Sequence, residues 1–258
     1  MPGPQSKHQR NSGSAARAEH GLARVMSKRG LCSRSQAEKR VREGRVRVDG
    51  KLVRDPESRT PFDAVIAIDG VVAGDAARHY LMLNKPRGVV TTAADERGRA
   101  TVYQALEPAG LGWIAPVGRL DKASEGLLLF SNDSGWAARI TAPESRLEKT
   151  YHVQVDCVPD AELLARLQTG IVVDGEHLGA VSIRELRRGT KNAWLEIVLD
   201  EGRNRQIRRL LAAFDIAVLR LIRIAIGPLQ LGDLGKEEWR ELTEEEVRSL
   251  ALPSREAI

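Results

Sequence analysis

The chain has 258 residues, of which 42% are hydrophobic, 29% charged and 4% aromatic. This length suits one large or two small domains, and the apolar fraction is enough to fill an ordinary core. No apolar run exceeds about five residues, whereas a helix that crosses a bilayer needs about 20, so we expect no membrane-spanning protein. The opening residues also lack the apolar block of a secretory signal.

Charge is distributed unevenly along the chain. The 40 basic and 35 acidic residues give a net charge of +5, but residues 1–60 alone hold 15 basic and 6 acidic side chains, and the remainder is net −4. A basic head on a slightly acidic body indicates a module that binds a polyanion. A solvated basic tail remains the alternative.

Residues 1–18 are rich in Ser, Gly and basic side chains and predict a flexible tail. Residues 19–66 predict a helix, a second helix and a tight hairpin. Gly30 would end the first helix, a capping box of Ser35 and Glu38 would begin the second, and an Asp49-Gly50 turn would join two short strands.

This small first domain is strongly basic and contains no aromatic residue before position 62. Phosphate or shape recognition of a nucleic acid is therefore favoured over base stacking. Segments 29–38 and 44–50 resemble the RNA-binding module named after small-subunit ribosomal protein S-four. The resemblance implies RNA contacts from four arginines: Arg24, Arg34, Arg45 and Arg47.

Residues 67–78 predict a linker, and residues 79–250 a second domain. Its pattern gives strands near 81–83, 127–130, 151–155, 193–198 and 219–224, with helices near 135–141, 161–168 and 205–214. Because these do not alternate regularly and no Gly-x-Gly-x-x-Gly follows a strand, an α+β fold is favoured over a doubly wound one. The acidic segment 237–250 predicts a solvated helix.

Standard catalytic and metal-binding patterns are missing from the sequence. The two cysteines are far apart, the five histidines are scattered, and there is no phosphate-binding loop, His-Glu-x-x-His or Cys-x-x-Cys. We therefore expect no metal and no cofactor. The cysteine usage also makes a reducing cytoplasm the expected location.

Asp121 is a candidate for chemistry, since it follows Gly118-Arg119-Leu120 and precedes the apolar run at 127–130. The residues alone favour a turn-capping role. An active carboxylate at the edge of a core strand would need a cationic neighbour. Arg208 can supply one, because it lies on the flank of the apolar stripe of the helix at 205–214, whereas Arg205 and Arg209 point away from that stripe.

Five segments in order resemble the RsuA/RluB/RluE/RluF family of rRNA pseudouridine synthases: 83–92, 118–133, 148–151, 201–209 and 220–227. The resemblance implies a mixed, mainly antiparallel sheet with flanking helices. It implies that Asp121 is the catalytic aspartate, that Arg119 fills the gap left by a flipped nucleotide, that Tyr151 stacks on the target ring, and that Arg208 is the basic partner of Asp121. RNA contacts are implied for Arg203 and Arg205.

We expect a monomeric enzyme whose partner is ribosomal RNA and which does not bind a membrane. The target uridine and the order of the chemical steps stay open, and the wording of the motifs leans towards large-subunit RNA. One rival hypothesis is a catalytically silent rRNA-binding or ribosome-assembly factor with the same fold. An rRNA methyltransferase would require a Gly-rich cofactor loop after a strand, which the sequence lacks.

Overall fold

The structure is a computed structural model that describes residues 19–74, 76–92 and 98–251. The predicted tail at 1–18 lies outside these residues. The chain divides into two compact units. Among the described residues, one unit contains 19–27 together with 34–74, and the other contains 28–33 together with 76–92 and 98–251.

The first unit is a small α+β domain. Its elements in chain order are β1 (Glu19–Gly21), α1 (Leu22–Lys28), α2 (Arg34–Arg42), β2 (Val46–Val48), β3 (Lys51–Val53), β4 (Arg59–Pro61), β5 (Ile66–Ile68) and β6 (Val71–Val72). β1 pairs with β4, and the other strands form a four-stranded sheet in the order β3-β2-β5-β6.

The core of this unit comes from one face of each helix and from the inner positions of β2 and β5. Its fully buried residues include Leu22, Val25, Met26, Val41, Val46 and Ile66. The two helices and the hairpin lie where the sequence predicts them. However, residues 67–74, which the sequence assigns to a linker, belong to this unit because β6 extends its sheet beside β5.

The second unit is built on one large sheet. Its elements are β7 (Tyr80–Lys85), β8 (Ala115–Val117), β9 (Glu125–Ser131), α3 (Ser134–Thr141), β10 (Lys149–Val155), α4 (Ala161–Thr169), β11 (Ile171–Val173), β12 (Glu176–Leu178), β13 (Ser182–Arg188), β14 (Ala193–Leu199), α5 (Gln206–Ala212), β15 (Val218–Ile226), β16 (Leu229–Gln230), β17 (Trp239–Glu241) and α6 (Glu244–Ala251). Short 3-10 turns span Gln104–Ala109 and Pro143–Ser145.

The sheet runs in the order β13-β14-β10-β15-β9-β7-β17, with β8 beside β9 and β16 beside β15. Only the β9–β15 pairing is parallel among the described strands of this sheet. At this junction Gly126 has φ +99°, and a Cβ there would collide with the Arg223 carbonyl oxygen. Glycine is therefore required for the two strands to approach.

Strand β9 is buried along its whole length because both of its faces are covered. Leu127 and Leu129 pack with α3 and α6, whereas Leu128 and Phe130 pack with the segment around Leu106. The other half of the sheet packs against α4 and α5 in a separate core cluster. This gives the mixed, mainly antiparallel α+β fold that the sequence predicts.

The acidic C-terminal segment differs from its prediction as one solvated helix. Its first part is β17, which pairs with β7, and only the second part is helical. That helix, α6, buries Leu250 and packs Val247 against the core. The few apolar residues among the acidic ones therefore decide how this segment packs. No helix in the described part of the chain is long and apolar enough to cross a membrane.

Glu246 anchors this segment, so we predict that Glu246→Gln is destabilising. Its carboxylate accepts two hydrogen bonds from Arg240, at 2.6 and 2.8 Å, and one from the Thr243 backbone N–H. The Arg240 side chain lowers the pKa of Glu246 from 4.5 to about 2. Since the folded pKa is depressed, this stabilisation is present above pH 4.5 and is lost as the pH falls towards 2.

Urea unfolding at pH 7 should show a loss of about 1–2 kcal/mol, because partial exposure screens the pair. The difference from the wild-type chain should shrink as the pH falls towards 2. Glu245→Gln, at an exposed neighbouring position, is the matched control and should change stability little at either pH. An equal loss at both pH values would contradict the assignment.

Candidate active site

Asp121 lies in a tight turn at the entrance to β9. The backbone N–H of Ser124 donates to the Asp121 carbonyl oxygen at 3.0 Å and closes the turn. The strand begins at the next residue and is buried throughout, whereas Asp121 is half-buried. Its carboxylate therefore stands where a core strand meets solvent.

Lys85 fixes this turn through hydrogen bonds to backbone carbonyl oxygens. It is fully buried at the end of β7, and its ammonium donates to the carbonyl oxygens of Pro86, Asp121 and Ser124 at 3.0, 3.2 and 2.8 Å. Burial lowers the pKa of Lys85 to about 8, although the charges of Asp121 and Glu125 act to raise it. One buried cation thus satisfies three backbone acceptors and fixes the position of the turn.

Glu125 is the buried acid that follows the turn. Its carboxylate accepts two hydrogen bonds of 2.8 Å from the Arg220 guanidinium, and Lys236 lies 3.4 Å away. The hydrogen bond from Arg220 is the main cause that lowers the pKa of Glu125. This bidentate pair joins β9 to β15 beside their parallel contact.

A cavity of about 520 Å³ opens in front of Asp121. Six of the site residues expected from the sequence line it: Arg119, Asp121, Tyr151, Arg203, Arg205 and Arg208. They come from three separate stretches of chain, namely the turn before β9, strand β10, and the loop and helix around α5. The fold thus brings together residues as far as 89 positions apart in sequence, from Arg119 to Arg208.

Arg208 reaches this cavity from α5. Its Nη2 donates to the Ala123 carbonyl oxygen at 3.1 Å, while its Nε is buried without a partner. Burial lowers its pKa, with further lowering from Arg205 and Arg87, whereas the Asp121 charge acts to raise it. Among the described residues, no ion pair within 4.0 Å joins Arg208 to Asp121; instead, the guanidinium contacts the turn that carries Asp121.

Tyr151 is half-buried on β10, where its ring packs against two of the core clusters. Its backbone pairs with Ile197 on one side and with Arg223 on the other. A phenol held between two strands has little freedom to move. It offers a fixed aromatic surface to any group that enters the cavity.

The loop before α5 is ordered by a hydrogen-bond network around Gln206. Its side-chain amide donates to Glu201 and to the Gly179 carbonyl, and accepts from the Arg203 backbone N–H. Arg203 itself is held by Glu201 and the His177 carbonyl. Arg205, with φ +50°, begins the helix as its N-cap and remains exposed, so α5 starts one residue later than predicted.

Arg209, which the sequence places away from the apolar stripe of its helix, is paired within its own unit. It pairs with Glu176 and Asp174 and donates to the Val173 carbonyl. These contacts connect α5 to the β11–β12 hairpin. Its charge is therefore used within the fold.

The four arginines predicted for RNA contact in the first unit have different surroundings. Arg34 pairs with Glu38 and Glu57, Arg45 makes two 2.7 Å hydrogen bonds to Asp69, and Arg47 donates to the Gly50 carbonyl. Arg24 is exposed and has no hydrogen-bond or ion-pair partner among the described residues. Three of these four cations are thus already engaged within the unit.

The sequence interpretation missed the buried polar residues that support the site. Lys85 and Glu125 stand at the ends of apolar runs, and a charge so placed is a signal for a buried, fully paired group. Lys149 and Arg223 also line the cavity. The sequence places them in two of the family-like segments but assigns neither a role. In the described ranges, no group of three or more His, Cys, Asp or Glu side chains could hold a metal ion.

Comparison with known proteins identifies the family. The profile described as RNA pseudouridylate synthase matches residues 79–213, and the profile of the S4 domain matches residues 21–66. The chain belongs to the RNA pseudouridylate synthase family. It is therefore an isomerase with an S4 domain at its N-terminal side, which confirms the resemblance seen in the sequence.

Similar proteins cover nearly the whole chain. An uncharacterised RNA pseudouridine synthase from Rickettsia bellii is 37% identical over 86% of this chain and 96% of its own length. The ribosomal large subunit pseudouridine synthase B of Bacillus subtilis is 34% identical over 89% of this chain and 94% of its own. A crystal structure of a pseudouridylate synthase superposes with a TM-score of 0.63 at 29% identity, covering 90% of this chain and 99% of that one.

We predict that Lys85→Met impairs this synthase by releasing the Asp121 turn. Three carbonyl oxygens would lose a buried donor, so we expect a loss of about 2 kcal/mol in stability and a fall of at least about tenfold in single-turnover isomerisation rate. Denaturant unfolding and a pseudouridine assay measure the two effects. Lys122→Met, at an exposed lysine in the same turn, should leave the stability unchanged; a stable, fully active Lys85→Met variant would contradict this role.

Proposed function

We propose that this synthase converts a specific uridine of ribosomal RNA to pseudouridine, with Asp121 as the nucleophile acting on a flipped-out base. The observation that carries the proposal is the single cavity in which Asp121, Arg119, Tyr151 and Arg208 meet. The name of the Bacillus subtilis relative supports RNA of the large subunit as the substrate. We place the enzyme in the cytoplasm, as a monomer that needs no metal or cofactor.

Each cavity residue has a role that suits its surroundings. A uridine in folded RNA must leave its stack, which costs a few kcal/mol. We propose that the Tyr151 ring stacks on the extruded base and that exposed Arg119 occupies the space it leaves. Both contacts would offset the cost of unstacking.

Arg208 would act as the basic partner of Asp121. Its hydrogen bond to Ala123 O holds the guanidinium beside the turn, and its unpartnered Nε leaves a donor for the carboxylate or for the substrate. Since two other arginines already crowd it electrostatically, an incoming phosphate or a closer carboxylate would stabilise its charge.

The rim of the cavity and the first unit would bind the RNA backbone. Arg203 and Arg205 are exposed at the cavity. Of the four S4-domain arginines expected from the sequence, Arg24 is the one that the described residues leave free to bind a phosphate, because Arg34, Arg45 and Arg47 already have partners within their unit. Phosphate contacts position an RNA without reading its sequence. Selection of the target uridine would then rest on the shape of the RNA.

We predict that Asp121→Asn abolishes isomerisation while RNA binding stays intact. The amide keeps the size of the side chain but removes the nucleophilic charge, so turnover should fall by at least about 10³-fold. Pseudouridine mapping on rRNA and filter binding of the same RNA measure the two effects. Turnover near the wild-type level would refute the assignment and favour a different catalytic group.

The rival hypothesis, a catalytically silent assembly factor, gives the opposite result in cells. It requires that rRNA from cells with and without the protein carry the same pseudouridines. Family membership favours the enzyme. Mapping of pseudouridines in both strains decides between the two.

We predict that Arg24 contributes a phosphate contact that Arg34 does not. Removing one phosphate contact lowers the slope of log affinity against log salt by about 1. Arg24→Gln should show this change and weaken RNA binding several-fold. Arg34→Gln is the matched control, because its guanidinium already pairs with Glu38 and Glu57; equal effects of the two substitutions would contradict the prediction.

A further inference from the structure

Two cations line the active-site cavity, and the roles proposed above use neither of them. Lys149 and Tyr151 lie two positions apart on β10, so their side chains share one face of the sheet. Arg223 on β15 is the direct partner of Tyr151 in the antiparallel register. Lys149, Tyr151 and Arg223 therefore lie side by side at the cavity wall.

Arg223 is buried with an incomplete set of partners. Only 6% of the residue is exposed, and its Nε donates to the Leu127 carbonyl oxygen at 2.8 Å. Its Nη2 is buried and has no hydrogen-bond partner. Among the described residues, no carboxylate lies within ion-pair distance of this guanidinium. A buried cation left in this state costs free energy unless a ligand supplies the missing acceptor.

Lys149 adds a second positive charge at the same place. Burial lowers its pKa, and the nearby charge of Arg223 lowers it further, whereas Asp200 acts to raise it. Across the described ranges, no carboxylate approaches its ammonium within 4.0 Å. Two like charges side by side in a half-buried wall are unfavourable alone but are stabilised by a negative group between them.

We propose that Lys149 and Arg223 form a subsite for the carbonyl oxygens of the flipped uracil and stabilise the negative charge that develops there during isomerisation. This inference rests on the proposed function. It adds two catalytic residues that contact the base, in addition to Asp121 at the ribose or the base.

The charge on the base arises whichever order the steps follow. If the N1–C1′ bond breaks by attack on the sugar or by loss of a sugar proton, its electron pair leaves with uracil and is shared by N1, O2 and O4. If the carboxylate adds to C6 instead, the electrons move to C5 and O4 as an enolate. In each route the N1–C1′ bond is broken before C5 bonds to C1′. The C5 proton then leaves, N1 takes up a proton, and the carboxylate departs from C1′ or C6, or the sugar regains the proton that it lost, so the net change is an isomerisation.

The position of the two cations favours a base over a phosphate as their ligand. Arg223 is almost fully buried and is the cross-strand neighbour of Tyr151, on whose ring the base would stack, so we place it at the edge of that base. The exposed arginines, Arg119, Arg203 and Arg205, are the accessible groups for phosphates. Donors aimed at developing charge in a site that excludes water are among the strongest contributors to catalysis.

The test uses the full-length enzyme and its rRNA substrate, with Lys149→Met, Lys149→Arg and Arg223→Lys compared to the wild type. Lys149→Met should lower the single-turnover rate constant by about 10²-fold, while the Kd for RNA changes by less than about threefold. Lys149→Arg should recover the rate to within about tenfold. Lys191→Met, at an exposed lysine of the β13–β14 hairpin, is the matched control and should keep both values.

Thermal melting checks that each variant is folded, and Arg223→Lys keeps a charge at that position if larger changes unfold the protein. It should lower the rate constant more than tenfold at unchanged Kd. A weaker Kd with an unchanged rate would overturn the inference and assign the cations to a phosphate, and so would unchanged values for both variants. An active Asp121→Asn enzyme would contradict the proposed function instead.

Discussion

The buried ammonium of Lys85 is the interaction on which the catalytic half of this protein depends. It lies at the end of β7 and binds three backbone carbonyls, two of which bound the turn that carries Asp121. A fully buried ammonium rarely serves as the donor to backbone carbonyls, because burying it costs several kcal/mol unless each of its N–H groups makes a hydrogen bond. Here the three donors match three acceptors, so the turn has one stable position.

The parallel contact between β9 and β15 is the second constraint. Gly126 lets the strands approach where any side chain would collide with the Arg223 backbone, and the Glu125–Arg220 pair joins the same two strands. Asp121 precedes one strand and Arg223 lies on the other. The proposed nucleophile and the proposed base subsite are therefore positioned by the same junction.

The arginines divide into those that hold the fold and those that remain available to RNA. Arg45, Arg209 and Arg220 pair with carboxylates of their own unit. Arg24 and Arg205 remain exposed. The net charge alone does not show this division. A guanidinium that is already paired with a carboxylate has less free charge and fewer free N–H donors for a phosphate than an unpaired one.

Several features follow from the sequence alone, because they depend on local patterns. Apolar periodicity predicts the two helices of the first unit and five strands and three helices of the second, but it does not predict β8, β11, β12, β13 or β16. Charge counting predicts a basic N-terminal module, and the ordered motifs predict the family and the candidate residues Asp121 and Tyr151. The C-terminal segment was predicted wrongly as one helix, and the structure extends the first unit through β6 into residues that the sequence assigns to a linker. β6 and β17 are two and three residues long, and short strands form only where a neighbouring strand supplies hydrogen bonds.

Only the tertiary structure decided which charged residues meet. Arg208 was expected to contact the Asp121 carboxylate, but its guanidinium donates to the adjacent Ala123 carbonyl. The three carbonyls that Lys85 binds lie 1, 36 and 39 positions further along the chain. Arg223 lies opposite Tyr151 on a neighbouring strand, and its buried Nη2 has no hydrogen-bond partner among the described residues. Burial and hydrogen-bond geometry are set when distant segments pack, and the spacing of residues along the chain carries no record of them.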